Sequence, residues 1–189
     1  MTAFKLVLHP DCRIESLSAP AILGTLCDLG MLGEPFPVDG REHYLPGDAF
    51  LDHIVFLGCA PTIELAAPAH DVEAAARAGR FCHLFLHPVT PRPRARIRRN
   101  QLPRCPRCRS DIAADRLPPP ADPLRESVCP HCGSTAALAD LNWRQAGGHA
   151  RIYLDIFGIY AGEAVPGDGL LDALSRTTAG RWSFFYIED

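Results

Sequence analysis

Residues 81–94 read FCHLFLHPVTPRPR, and the fold turns on where that stretch changes character. From Phe81 to His87 the side chains alternate. Phe81, His83, Phe85 and His87 fall on one side and Cys82, Leu84 and Leu86 on the other, which is the period of a β-strand. Pro88, Pro91 and Pro93 then break any regular ladder. Proline lacks the N–H of a central strand and its ring clashes inside a helix. The stretch predicts a strand of a globular body that leads, near residue 90, into a proline-broken connector.

Toward the N-terminus, Phe4–His9 (FKLVLH) predicts a strand. Ser18 then opens a helix with Pro20 in its first turn and Gly30 near its end; Ile22, Leu26 and Leu29 give it one apolar face. Residues 35–45 read as loop or hairpin about Asp39–Gly40. Phe50–Leu57 (FLDHIVFL) is rich in β-formers and predicts a buried strand. Asp71 is placed as the cap of an alanine-rich helix ending at Gly79. Globular pattern resumes after residue 145. Gly147–Gly148 is a turn and Arg151–Phe157 (RIYLDIF) a strand. Asp168 caps a helix stopped by Gly180, and Arg181–Ile187 (RWSFFYI) is a final strand. The order strand, helix, strand occurs twice. It resembles the split arrangement of ferredoxin-like sandwiches. That resemblance implies an α+β fold: an antiparallel sheet with helices on one face, Phe81–His87 being surplus to it. The body is expected from residues 1–90 and 146–189, around an insertion at 91–145.

The chain has 189 residues, 47% of them hydrophobic and 22% charged, which is enough apolar content for a core and argues against disorder. No apolar run is long enough to span a bilayer, and the first residues lack the pattern of a secretory signal, so no membrane association and a cytoplasmic location are expected. Charge is unevenly spread. Lys5 is the only lysine, and Arg92, Arg94, Arg96, Arg98, Arg99, Arg104, Arg107 and Arg109 crowd into a stretch with no acid. That stretch carries +8 in a chain whose net charge is −3, so the remainder carries −11.

Within the expected insertion, Cys105-Pro-Arg-Cys108 and Cys129-Pro-His-Cys132 form C-x2-C-x20-C-x2-C. Each pair suits a tight knuckle that aims both sulfurs inward, and two knuckles make a tetrathiolate site with Zn–S bonds of ~2.3 Å. Gly133 supplies a residue free to take positive φ. Over residues 102–142 the pattern resembles a zinc ribbon, which implies one Zn2+ per chain held by Cys105, Cys108, Cys129 and Cys132. Four cysteines leave no open coordination position, so the role is structural. Two disulfides, or a redox role for Cys129-Pro-His-Cys132, which matches the tetrapeptide of some oxidising thioredoxin-like proteins, are the alternatives. The span Leu117–Pro123 (LPPPADP) reads as a stiff extended spacer.

No metalloprotease, phosphate-loop, serine-hydrolase or dinucleotide motif is present, and binding is expected rather than catalysis. The arginines suggest the surface. Arg92, Arg94, Arg96, Arg98 and Arg99, with the ribbon, are expected to grip a protein partner, as in an accessory or adaptor protein. Nucleic acid is the alternative ligand, since guanidinium forks suit phosphate; the segment holds no aromatic ring to stack bases. Arg104, Arg107 and Arg109 are expected to offset the charge of the metal centre. A third reading is a thiol enzyme using Cys59, at a strand end beside Gly58, with His53, His83 or His87 as base. Cys12, Cys27 and Cys82 read as core or surface thiols. His83 and His87 are too far apart on a strand to share an ion.

Overall fold

The computed structural model describes residues 4–58, 63–113, 117 and 122–188. Its elements in chain order are β1 (Phe4–Pro10), α1 (Ala19–Asp28), β2 (Leu32–Val38), β3 (Arg41–Pro46), α2 (Phe50–His53), β4 (Ile54–Phe56), α3 (Val72–Arg77) and β5 (Leu84–Leu86). They continue with β6 (Arg94–Ile97), β7 (Glu126–Val128), β8 (Thr135–Ala137), β9 (Gly147–Ala150), β10 (Leu154–Phe157), β11 (Ala164–Pro166), α4 (Asp168–Thr178) and β12 (Trp182–Glu188). Six strands form an antiparallel sheet in the order β12-β1-β10-β5-β3-β2, so the protein is α+β. β1 is central. It pairs with β12 from Phe4↔Glu188 to Pro10↔Trp182 and with β10 from Lys5↔Phe157 to Leu8↔Leu154.

The local signals explain most elements. Ser18 Oγ accepts the Ala21 N–H at 3.3 Å and caps α1. Gly30, at φ 66°, closes it while the Met31 N–H returns to the Leu26 carbonyl at 2.9 Å, the bonding of a Schellman end. Asp39 and Gly40 both take positive φ, which joins β2 to β3 in the tight hairpin that Asp-Gly favours. Alternation along β1 sends Leu6 and Leu8 into a core shared with Ile22 and Leu26 of α1, Leu170 and Leu174 of α4, and Leu84, Leu154 and Ile156 of the sheet. Val7 faces the other way, onto Ala150, Tyr153 and Phe185. Against that side β9 lies close: a Cβ on Gly148 would come within 2.6 Å of the His9 ring.

Four expectations are corrected. Phe50–Leu57 is not one buried strand. Phe50 and Ile54, four residues apart, turn the same apolar face inward as the helical turn α2, and only Ile54–Phe56 extends, pairing with β11 outside the main sheet. Phe81–His87 supplies β5, which joins β10 in the main sheet, and Gly147–Gly148, expected as a turn, opens β9 and pairs with β6. The helices do not share one face. Ala75 and Ala76 of α3 pack on Val38 and Phe81, and Phe81 shares its side of the chain with Phe36 and His83, away from α1 and α4. Finally, the α4 cap residue is Gly167, with Asp168 in the first turn and no side-chain cap bond; Asp71 holds the cap position of α3 but its side chain makes no cap bond. Among the described residues no helix is long and apolar enough to cross a membrane.

Candidate metal centre and the arginine segment

Between β5 and β10 the chain carries both cysteine pairs, and the two pairs fold alike. The N–H four residues after the first cysteine returns to that cysteine's carbonyl: Arg109 to Cys105 and Gly133 to Cys129, each at 2.9 Å. The cysteine N–H in turn reaches the carbonyl five residues on, Cys105 to Ser110 and Cys129 to Ser134, each at 2.9 Å. Both turns end in left-handed backbone, Arg109 at φ 62° and Gly133 at φ 68°. Sequence reasoning marked Gly133 and missed Arg109, because an arginine gives no sign of positive φ.

The four sulfurs converge within 4.8 Å of one another. The Cys105–Cys132 separation is 3.8 Å and the Cys108–Cys129 separation 3.6 Å. A tetrahedron with ~2.3 Å metal–sulfur bonds has sulfur–sulfur edges of about 3.8 Å, so these residues fit a tetrahedral ion. Ser134 Oγ lies 3.0 Å from the Cys132 sulfur and 3.3 Å from that of Cys105. The Cys108 amide and then the Ser134 hydroxyl draw the Cys105 thiol down to about 6. Cys129 is instead pushed up to about 11: the Cys132 amide lowers it, but burial and its shared hydrogen bonds with Cys108 and Cys105 outweigh that. Four sulfurs at this spacing become thiolates together only around a cation. Beneath them lies a small core of Ile112, Leu138, Leu141 and Trp143, with Ile97 of β6 against it; Trp143 Nε1 donates to the Leu138 carbonyl at 3.0 Å.

The arginine segment is more ordered than a proline-broken arm. Past Pro93, Arg94–Ile97 forms β6 and pairs with β9 from Arg94↔Ala150 to Ile97↔Gly147. Arg96 leaves the expected partner surface for the body, where its guanidinium forks onto Asp155. That carboxylate is 1% exposed; it also accepts from His87 Nε2 at 3.1 Å, with Lys5 Nζ at 3.8 Å. Burial alone would raise it, but His87 and Arg96 overcome that and hold it down at about 2. Its one sequence signal is a lone acid inside the apolar RIYLDIF strand. Arg104 pairs with Asp111 at 3.0 Å rather than with the sulfurs. Arg92, Arg94, Arg98, Arg99, Arg107 and Arg109 are exposed.

The remaining candidates separate. His83 stacks on Phe157 while His87 turns to Asp155, so the two share no ion. Cys12 and Cys82 are buried and Cys27 is exposed. Cys59 and most of the proline spacer lie outside the described residues. Comparison of the chain with protein-family models, with curated proteins and with solved structures finds no match, so the reading of function rests on the residues themselves.

Proposed function

We propose that the protein is a non-enzymatic accessory or adaptor protein whose structural zinc ribbon and flanking arginines grip an acidic protein partner. Zinc is the ion that suits four thiolates at tetrahedral spacing. Cys105, Cys108, Cys129 and Cys132 would hold it, and it would supply a cross-link with no open position for substrate. With both pairs engaged, Cys129 and Cys132 are withdrawn from thiol exchange. A ferredoxin-like body is supported by the strand order β12-β1-β10-β5, which matches the split β-α-β-β-α-β unit once the β2–β3 hairpin is set aside. The ribbon then lies in the β5–β10 connection as an insertion. A cytoplasmic location is part of the same proposal, since a reducing compartment would keep the four metal-site cysteines available as thiolates.

The observation that carries the reading is charge segregation. Arg92, Arg98, Arg99, Arg107 and Arg109 lie exposed and, among the described residues, none pairs with a carboxylate, whereas Arg13, Arg77, Arg96, Arg104 and Arg144 all do. Exposed single-sign charge of this kind steers a complementary surface. The test is affinity capture from the native host, with and without nuclease, comparing the natural chain with one in which those five arginines become Gln. A captured protein that resists nuclease and is lost with the variant, at unchanged metal content, is the expected result. Loss on nuclease treatment would replace the partner with nucleic acid, and capture unchanged by the five substitutions would make the arginines a solvated face.

A further inference from the structure

The sheet face opposite α1 and α4 carries a cleft that the partner-binding reading does not use. It consists of two adjoining cavities that share Arg41, Phe85, His87 and Arg96. The smaller, of about 440 Å³, has Arg41, Arg94, Arg96 and Arg151 in its walls, Phe85 and Tyr153 among its rings, and no carboxylate in its lining. The larger, of about 730 Å³, extends over Phe157 to His43 and His83. Both lie in the size range of small-molecule sites.

The four arginines differ in what they do. Arg96 is bound to Asp155, and Arg151 donates to the Thr90 and Glu15 carbonyls, each at 2.8 Å. Arg41 and Arg94 make no side-chain hydrogen bond or ion pair among the described residues. The Arg41 guanidinium instead stands 5.9 Å from the Phe85 ring centre. They come from different elements, the first residue of β3 and the first of β6. Folding sets them on one cavity. The wall they occupy is held in place: the Tyr153 hydroxyl donates to the Arg94 carbonyl, and Arg94 pairs with Ala150 in the β6–β9 ladder.

The smaller cavity, lined by both Arg41 and Arg94, holds no carboxylate, whereas Asp39 and Asp155 line the larger one; guanidinium forks in an acid-free wall suit a tetrahedral anion, which accepts several charge-assisted hydrogen bonds at once. Phe85 and Tyr153 are 6% and 4% exposed, with His43 stacked on Phe85 at 4.5 Å and Arg96 over the Tyr153 ring at 5.1 Å; they give the cleft an apolar floor beside the arginines and no platform for successive bases. At the far end His83 Nδ1 donates to the Phe81 carbonyl at 3.1 Å. Its Nε2, and Nδ1 of His43, have no hydrogen-bond partner among the described residues.

We propose that this cleft binds a small phosphate-bearing molecule with a flat ring, its phosphate held between Arg41 and Arg94. The site is independent of the adaptor reading, and neither arginine belongs to the five replaced in its test. The experiment is calorimetric titration of the full chain with phenyl phosphate, inorganic phosphate and a short single-stranded DNA. Phenyl phosphate should saturate at one site and bind more tightly than inorganic phosphate. Arg41→Gln and Arg94→Gln should each weaken it by about tenfold or more, Arg41→Lys and Arg94→Lys by less, and Arg99→Gln not at all. Thermal melts of the variants, both at exposed and unpaired positions, confirm that the fold is retained. Failure of either phosphate to saturate the protein at millimolar concentration would overturn the proposal. So would binding unchanged in both Gln variants, or DNA binding that outcompetes phenyl phosphate and survives both substitutions.

Discussion

The body and the four-cysteine region are stabilised in different ways. The body gathers side chains from β1, α1, β5, β10, α4 and β12 into one core, and non-directional apolar burial carries it. The four-cysteine region, about residues 102–142, buries Ile112, Leu138, Leu141 and Trp143 besides two of its own cysteines. Chains of about 40 residues seldom close a sufficient core and usually need a metal, a disulfide or a partner. Here the four converging sulfurs could supply that need by holding a metal ion. The difference teaches that the two regions should respond to opposite insults, the body to loss of packing or burial of charge, and the cysteine region to loss of the cation its sulfurs are placed to hold.

The largest effect should come from the ligands. Cys105→Ser or Cys129→Ser removes one sulfur of the tetrahedron, and the amide resonances of β7 and β8 should collapse to unfolded positions while those of β1, β10 and β12 remain. Collapse of the body as well would merge the two regions into one cooperative unit.

Next is the joint between the regions. Arg96 reaches from β6 to a carboxylate on β10 that has almost no solvent. Arg96→Gln should destabilise the body by about 3–5 kcal/mol in urea titration, the usual cost of stranding a buried charge. A loss under about 1 kcal/mol would mean that Lys5 and His87 suffice and that β6 merely rests on the body.

A smaller effect is acid sensitivity. Desolvation by burial lowers His83 and His43 from 6.5 to about 4, so both are neutral in the fold. The unfolded chain binds their protons first. Their contribution is complete above pH 6.5 and is lost as pH falls toward 4, each with a slope of at most about 1.4 kcal/mol per pH unit. His83→Phe should flatten the stability curve in that window; an unchanged curve would place the sensitivity elsewhere. Asp155, held at about 2, gives the same direction in a lower window: its stabilisation is complete above pH ~4 and is lost progressively as pH falls from ~4 to ~2.

The cysteine centre was legible in the sequence because a knuckle is local. Two cysteines, two residues between them and a left-handed turn behind them specify it without reference to the rest of the chain. The hairpin at Asp39–Gly40 and the caps of α1 were readable for the same reason. What was not legible depended on distant partners. Phe50–Phe56 satisfies β propensity and an i, i+4 helical face equally, and pairing with β11 decided between them. Nothing near Asp155 in sequence announces Arg96, His87 and Lys5, and the alanine face of α3 does not reveal which side of the sheet it will cover.

The smallest effects are backbone ones. Ala179 closes α4 at φ 52° and Arg109 closes the first knuckle at φ 62°, where only glycine is at ease. Ala179→Gly should raise body stability by about 0.5–1 kcal/mol, and Arg109→Gly should tighten metal retention without changing the body. Destabilisation by either would show that native contacts of the lost side chain outweigh the relieved strain.

The most direct measurement uses the two tryptophans. Trp143 lies in the small core under the sulfurs and Trp182 in the core of the body, so 5-fluorotryptophan labelling places one fluorine resonance in each region. On titration with a thiol-compatible metal chelator, the Trp143 resonance should move to its unfolded position while that of Trp182 stays in place. Both resonances moving together, or neither moving after the metal is stripped, would contradict a metal-held region carried on a separately cored α+β body.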